Sequence, residues 1–228
     1  GQGQGRLAKH RENQDGRGRE EEKGAVGGAA ASVALTPEYR RSLACPDPEE
    51  TNSAVMVTFQ VCLDEAKDRA LLVLFTHLLK DKCFNQLRTQ AQLGYLVLSG
   101  EIVHGGHVHS AIFLVQSDDH SPCCLDESVE YFLAGFGETL SSLTPEEFAV
   151  NVKAVVQSLL EKDKNLNEET SRHWGEILGR SYVFDRSVRD AEAVEQLSQA
   201  ELLDFYGFHF SLGGAGRRKL SAWAHGNQ

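Results

Sequence analysis

Ser53-Ala54-Val55-Met56-Val57-Thr58-Phe59-Gln60-Val61-Cys62-Leu63 is dominated by β-branched and aromatic residues, the composition of a largely buried strand. Asp64 follows, offering an N-cap for a helix whose apolar stripe is Ala70, Leu71, Leu74, Phe75, Leu78 and Leu79. A short helical segment over 83–92 is predicted to stop at Gly94, since glycine is a common helix terminator. Residues 95–102 and 107–116 then read as two strands, with Val103, His104, Gly105 and Gly106 at the turn between them.

Toward the C-terminus the periodicity changes from 2 to 3.6. Val129, Phe132, Leu133, Phe136 and Leu140 recur at helical spacing over 125–140. Thr144-Pro145-Glu146-Glu147 is a capping box with proline at the first helical position, opening a helix through Val152, Val155, Val156 and Leu159. Further helices are predicted over 168–180, over 187–196 and after a second capping box, Ser198 to Glu201; 218–225 reads as a final strand. The fold class is therefore α+β: an antiparallel or mixed sheet covered by helices.

Toward the N-terminus the pattern fades. Residues 1–30 hold eight of the 21 glycines, six basic and five acidic side chains, and such a stretch cannot offset its ordering entropy, so a disordered head is expected. Residues 31–52, with Pro37, Pro46 and Pro48, read as an extended lead-in, leaving 53–228 as the folded domain. The chain begins with Gly1 rather than Met and has no apolar signal region over 1–24, so a processed or incomplete product is expected.

The 23 basic and 33 acidic residues give a net charge of −10. That argues against nucleic acid, whose binding needs clustered Lys and Arg. No run approaches the roughly eighteen apolar residues of a membrane span, so a soluble protein is expected. Cys45, Cys62, Cys83, Cys123 and Cys124 are odd in number and lack framework spacing. A cytoplasmic or other reducing compartment is the simpler expectation.

The most specific segment is Cys83-Phe84-Asn85-Gln86-Leu87-Arg88-Thr89-Gln90-Ala91-Gln92-Leu93-Gly94-Tyr95. Its pattern F-N-x-L-R-T-x-x-Q-L-G-Y resembles the final domain of the insulin-degrading-enzyme and pitrilysin family, the inverted-zincin metallopeptidases. The resemblance resumes at Gln116-Ser117, at Thr144-Pro145-Glu146-Glu147-Phe148, at Trp174-Gly175-Glu176-Ile177 and at Phe184-Asp185-Arg186, covering about residues 45–225. It implies one domain of a two-lobed zinc endopeptidase that closes around a peptide, the zinc being held by an N-terminal lobe with the motif H-x-x-E-H. It also implies that Arg88 and Tyr95 approach the substrate backbone near the scissile bond, and that Phe84 helps line an adjacent side-chain pocket.

Residue chemistry alone says less. On that basis Arg88 is a surface or helix-capping cation and Tyr95 an amphipathic strand residue. The zinc motif itself is absent: His173-Trp174-Gly175-Glu176 is a partial match whose fifth position is Ile177, and His173 and Trp174 read as core or helix-face residues. His104, His107 and His109 permit a three-nitrogen site, but the simpler reading is a solvated hairpin cluster, and no metal ligand is assigned. Cys123 and Cys124 read as loop thiols.

Two functions follow. One is a substrate-binding part of a zinc metalloendopeptidase whose zinc lies in a lobe outside this chain; the other is a non-catalytic peptide- or partner-binding relative. Because 1–30 is too polar to bury, its deletion is expected to leave the melting transition nearly unchanged. A loss of several kcal/mol in a denaturant titration would show instead that the head docks on the domain.

Overall fold

The computed structural model describes residues 38–105 and 107–227; the head expected over 1–30 lies outside them. Ser53–Leu63 is strand β2, as its composition requires, with Val55, Val57 and Phe59 fully buried on one face. Strand β1, Glu38–Ala44, is exposed along its length and comes from the segment read as a lead-in. The remaining strands are β3, Leu96–His104, β4, Val108–Ser117, and β5, Lys219–His225. Their order in the sheet is β1-β5-β2-β4-β3. β1 runs parallel to β5, and every other pairing is antiparallel, so the sheet is mixed. The first hairpin strand extends further than expected, His104 pairing with Val108, and Gly105 takes the left-handed conformation (φ 57°).

Six α-helices cover one face. They are α1, Ala66–Cys83; α2, Pro122–Ser141; α3, Pro145–Leu159; α4, Leu166–Leu178; α5, Arg186–Glu195; and α6, Gln199–His209. Both predicted capping boxes form: Thr144 with Glu147 opens α3, and Ser198 with Glu201 opens α6. The core between layers is aromatic. Phe75 of α1 stacks on Phe210 at 4.2 Å between ring centroids, and Phe210 reaches Phe59 of β2 at 5.4 Å. Tyr206 of α6 carries its polar end inward by donating to the Leu133 carbonyl at 2.7 Å, satisfying a group that burial would otherwise penalise.

One buried ion cluster ties β5 to α2. Lys219 lies 2.7 Å from Asp126 and 2.5 Å from Glu130, and Trp223 Nε1 donates to Asp126 at 3.0 Å. A buried ammonium is tolerable only with such partners.

Asp64 is not the cap it resembles in sequence. The N-cap of α1 is Glu65, without a side-chain cap bond, while Asp64 adopts φ 60°. Its carboxylate instead gathers three donors. Arg69 Nη1 reaches Oδ1 at 2.8 Å and Arg186 Nη1 at 2.5 Å, with His109 Nε2 at 3.2 Å. Arg186 also bonds Glu176 through Nε at 2.5 Å and Nη2 at 3.1 Å, and Arg69 bonds Asp190 at 2.6 Å. The network therefore joins the turn after β2 to α1, β4, α4 and α5.

Burial works against the Asp64 charge, but the Arg186 hydrogen bond and the charges of Arg186 and Arg69 prevail and hold its carboxyl below the ordinary value. For Glu176 burial is likewise outweighed, by hydrogen bonds from Arg186, Ser181 and the Val183 N–H. Depressed folded values mean stability that is full above the ordinary carboxylate range and lost as pH falls through the folded values. The urea midpoint is therefore expected to drop below about pH 4. Arg186→Met should cost roughly 2–4 kcal/mol at neutral pH by stranding two carboxylates, a range discounted because Arg186 retains 20% exposure. It should also flatten the acid limb; a variant with wild-type midpoint and acid limb would remove the network from the account.

Candidate substrate-contact site

The site is built at the end of the first long helix. α1 does not stop at Cys83 but runs directly into a π-helical segment, Phe84–Gln90, whose wider turn is closed by the Ala91 N–H on the Gln86 carbonyl at 2.9 Å. π-helical insertions of this kind concentrate at functional sites. Leu87 is the buried residue of the segment, so Phe84 and Arg88, four residues apart, are turned outward together.

The helix ends where Gln92, not Gly94, enters the left-handed region, at φ 51°, while the Leu93 N–H caps the Leu87 carbonyl at 3.1 Å. Gly94 has a different function from the terminator expected of it. A Cβ there would collide with the Gln116 carbonyl oxygen and crowd Ser117, so only glycine lets the chain pass this close to the end of β4. That passage delivers Tyr95 to the start of β3.

Phe84, Arg88 and Tyr95 are brought together. The Arg88 guanidinium lies 4.9 Å from the Phe84 ring centroid and 5.0 Å from that of Tyr95, held between two aromatic faces. Tyr95 is 87% exposed and Phe84 41%. Among the described residues nothing accepts a hydrogen bond from Arg88, so its planar set of donors is held in place by the rings and left free to bond outward. Cys83, which begins the motif, is fully buried, and burial pushes its thiol up to about 11; it packs rather than reacts. Beside the same turn, Asn85, Gln86 and Gln90 with Phe132 and Phe136 of α2 line a groove of about 250 Å³, but Phe84 is not among its walls.

The other candidates do not assemble. His109 is buried rather than solvated, and burial lowers its pKa despite the Asp64 charge, so a neutral imidazole donates to that carboxylate. His107 falls in the turn. Among the described residues no group of three or more His, Cys, Asp or Glu side chains could hold a metal ion, so the residues present do not fit a resident zinc. Trp174 is not core: α4 has no buried residue, and Trp174 is 54% exposed. Cys123 sits exposed in the first turn of α2 with its thiol on Glu127 at 3.4 Å. All five cysteines are free.

Residues 74–174, which contain this site, match the family described as PQQ synthase PqqF-like, C-terminal lobe domain 4. Insulin-degrading enzyme-like 1, peroxisomal, of Arabidopsis thaliana is 34% identical over 182 residues, 80% of this chain and 19% of that protein. The chain belongs to the insulin-degrading-enzyme and pitrilysin family of metallopeptidases, in the region of its C-terminal lobe. Insulin-degrading enzyme of Homo sapiens is 30% identical over 75% of the chain and 16% of its own length. The crystal structure of pitrilysin superposes with a TM-score of 0.65 at 25% identity, covering 82% of this chain and 19% of that one. The chain thus spans about a fifth, or less, of these three relatives.

The sequence did quote the Glu176 and Arg186 motifs, but not the contact between them; ten residues apart, they share one bidentate pair. The close approach of Gly94 makes one substitution decisive. Gly94→Ala is expected to cost about 1–3 kcal/mol, the range for forcing a carbon into a packed site. Wild-type urea stability in that variant would contradict the approach to Gln116.

Proposed function

We propose that this domain is the substrate-binding part of a peptidase of this family, with Arg88 and Tyr95 contacting the peptide backbone and Phe84 bounding a side-chain pocket. The observation that carries the reading is the half-buried Arg88 side chain, its guanidinium held between the Phe84 and Tyr95 rings at 4.9 and 5.0 Å. A guanidinium supplies donors only and a phenol can donate its O–H, which suits a peptide carbonyl and the charge that develops on its oxygen during attack. The rings restrict the guanidinium before substrate arrives, so less freedom is lost on binding.

In this reading the zinc of the family would be held by a lobe outside this chain, whose sequence has no H-x-x-E-H motif. Isolated, the chain is expected to show no chelator-sensitive cleavage of an unstructured peptide. Mixed with a matching zinc-bearing lobe, it should raise activity well above that of the lobe. In the pair, Tyr95→Phe removes one donor while keeping the ring against Arg88, and should lower kcat by roughly a hundredfold with little change in stability. Arg88→Lys keeps the charge but loses the planar fork, so a smaller loss is expected. Wild-type turnover in both variants would refute these roles. Peptide binding without any rise in activity would favour a non-catalytic binding relative.

A further inference from the structure

The π-helical turn that carries Phe84 and Arg88 has a second face. Its i→i+5 bonds set residues four and five apart over one another, so Asn85 and Gln86 share a side with Gln90. These three form one wall of the groove of about 250 Å³. Among the described residues none of their side-chain amides has a hydrogen-bond partner. Lys82, near the end of α1, is the only charged residue in the lining. Glu147, whose carboxyl feels the Lys82 charge, is held by the Thr144 N–H and lines no part of the groove. On the facing helix α2, Gly135 and Thr139 lie one turn apart. Glycine inside a helix is destabilising relative to Ala, and the fold does not require this one, since a Cβ at 135 would meet nothing within 4 Å. What the missing side chain provides is width in the groove.

We propose that this groove binds a small organic acid carrying one carboxylate and one amide, of the size of an N-acylated amino acid. Its volume exceeds the roughly 150 Å³ that admits benzene and falls short of the roughly 300 Å³ at which pockets for drug-sized ligands begin. A lone ammonium among neutral walls selects a single negative charge; a phosphate would bring more charge than Lys82 alone can neutralise. Primary amides both donate and accept, so Asn85, Gln86 and Gln90 can match the N–H and the C=O of a ligand amide at once. Gly135 lets the ligand approach the backbone of α2 where any side chain would stand in the way. The site does not depend on the role proposed for Arg88, which belongs to the other face of the same turn.

The test titrates N-acetylglycine into the whole chain and follows the side-chain NH2 signals of Asn85, Gln86 and Gln90 by NMR. These should shift saturably with a Kd of about 1 mM, the scale a ligand of about eight heavy atoms can reach. N-acetylglycinamide, which lacks the charge, and acetate, which lacks the amide, should each bind roughly tenfold more weakly. Lys82→Met should lose roughly tenfold in affinity with an unchanged melting temperature. Gly135→Ala should melt no lower than the wild type, because Ala is the better helix former, yet bind roughly tenfold more weakly because its methyl occupies the groove. The absence of saturable shifts up to about 20 mM would overturn the site. Equal affinity for the uncharged amide, or wild-type affinity in either variant, would also overturn it. Shifts confined to Arg88 and Tyr95 would place the acid at the proposed substrate contacts, overturning this inference and leaving the proposed function standing.

Discussion

The carboxylate of Asp64 is the point at which α1, β4 and α5 are held to one another. It sits in a left-handed turn, a conformation that Asp adopts more readily than most residues because its side chain can satisfy nearby groups. From there it accepts from Arg69 on the following helix, from His109 on the neighbouring strand and from Arg186, 122 residues away. Remove that carboxylate and two guanidinium groups lose a common partner at once. The penalty for stranded charge, rather than the Coulomb energy of any one pair, is what makes the arrangement obligatory. It fixes the junction from which α1 departs, and the direction of α1 decides where Phe84 and Arg88 finally point.

Along α1 the consequence is geometric. Nine of its side chains are buried, so the helix cannot rotate about its axis to adjust the outward residues at its end. The adjustment is made instead by widening the last turns into a π-helix. Phe84 and Arg88 keep a common outward face there while Leu87 stays in the core. The left-handed Gln92 and the close passage of Gly94 then return the chain so that Tyr95 meets Arg88 from the other side. Three residues spread over twelve positions thus form one surface with no hydrogen bond among them. Their contact energy is only about 0.5–1 kcal/mol for each exposed cation–π pair, so the backbone path, not the contacts, supplies the order.

This division explains what the sequence disclosed. Capping boxes at Thr144 and Ser198 were legible because donor and acceptor lie three residues apart. β2 was legible because its composition and its burial are the same fact. The fold class followed from the succession of such local signals. Asp64 misled because an acidic residue before a helical stripe ordinarily caps it, whereas its partners here are set by tertiary packing. β1 was read only as extended chain, since a strand that buries nothing has no hydrophobic alternation to betray it. The candidate site residues were proposed from a long family pattern, but neither the π-helical turn nor the reason for Gly94 could be read from it, because both depend on where the end of β4 lies.

A net charge of −10 would, by itself, attract basic peptides to a domain with the proposed role. The geometry argues otherwise. Long-range attraction is screened beyond about 8–10 Å at physiological salt and does not register a chain against particular atoms. Registration requires donors held in fixed directions, and Arg88 is a cation held between two rings rather than by a carboxylate. A carboxylate close to Arg88 would occupy the donors that a peptide carbonyl needs. Acidic surface and an Arg88 guanidinium without a carboxylate partner are therefore compatible with the proposed role, in which Arg88 would bond the one group that every peptide presents.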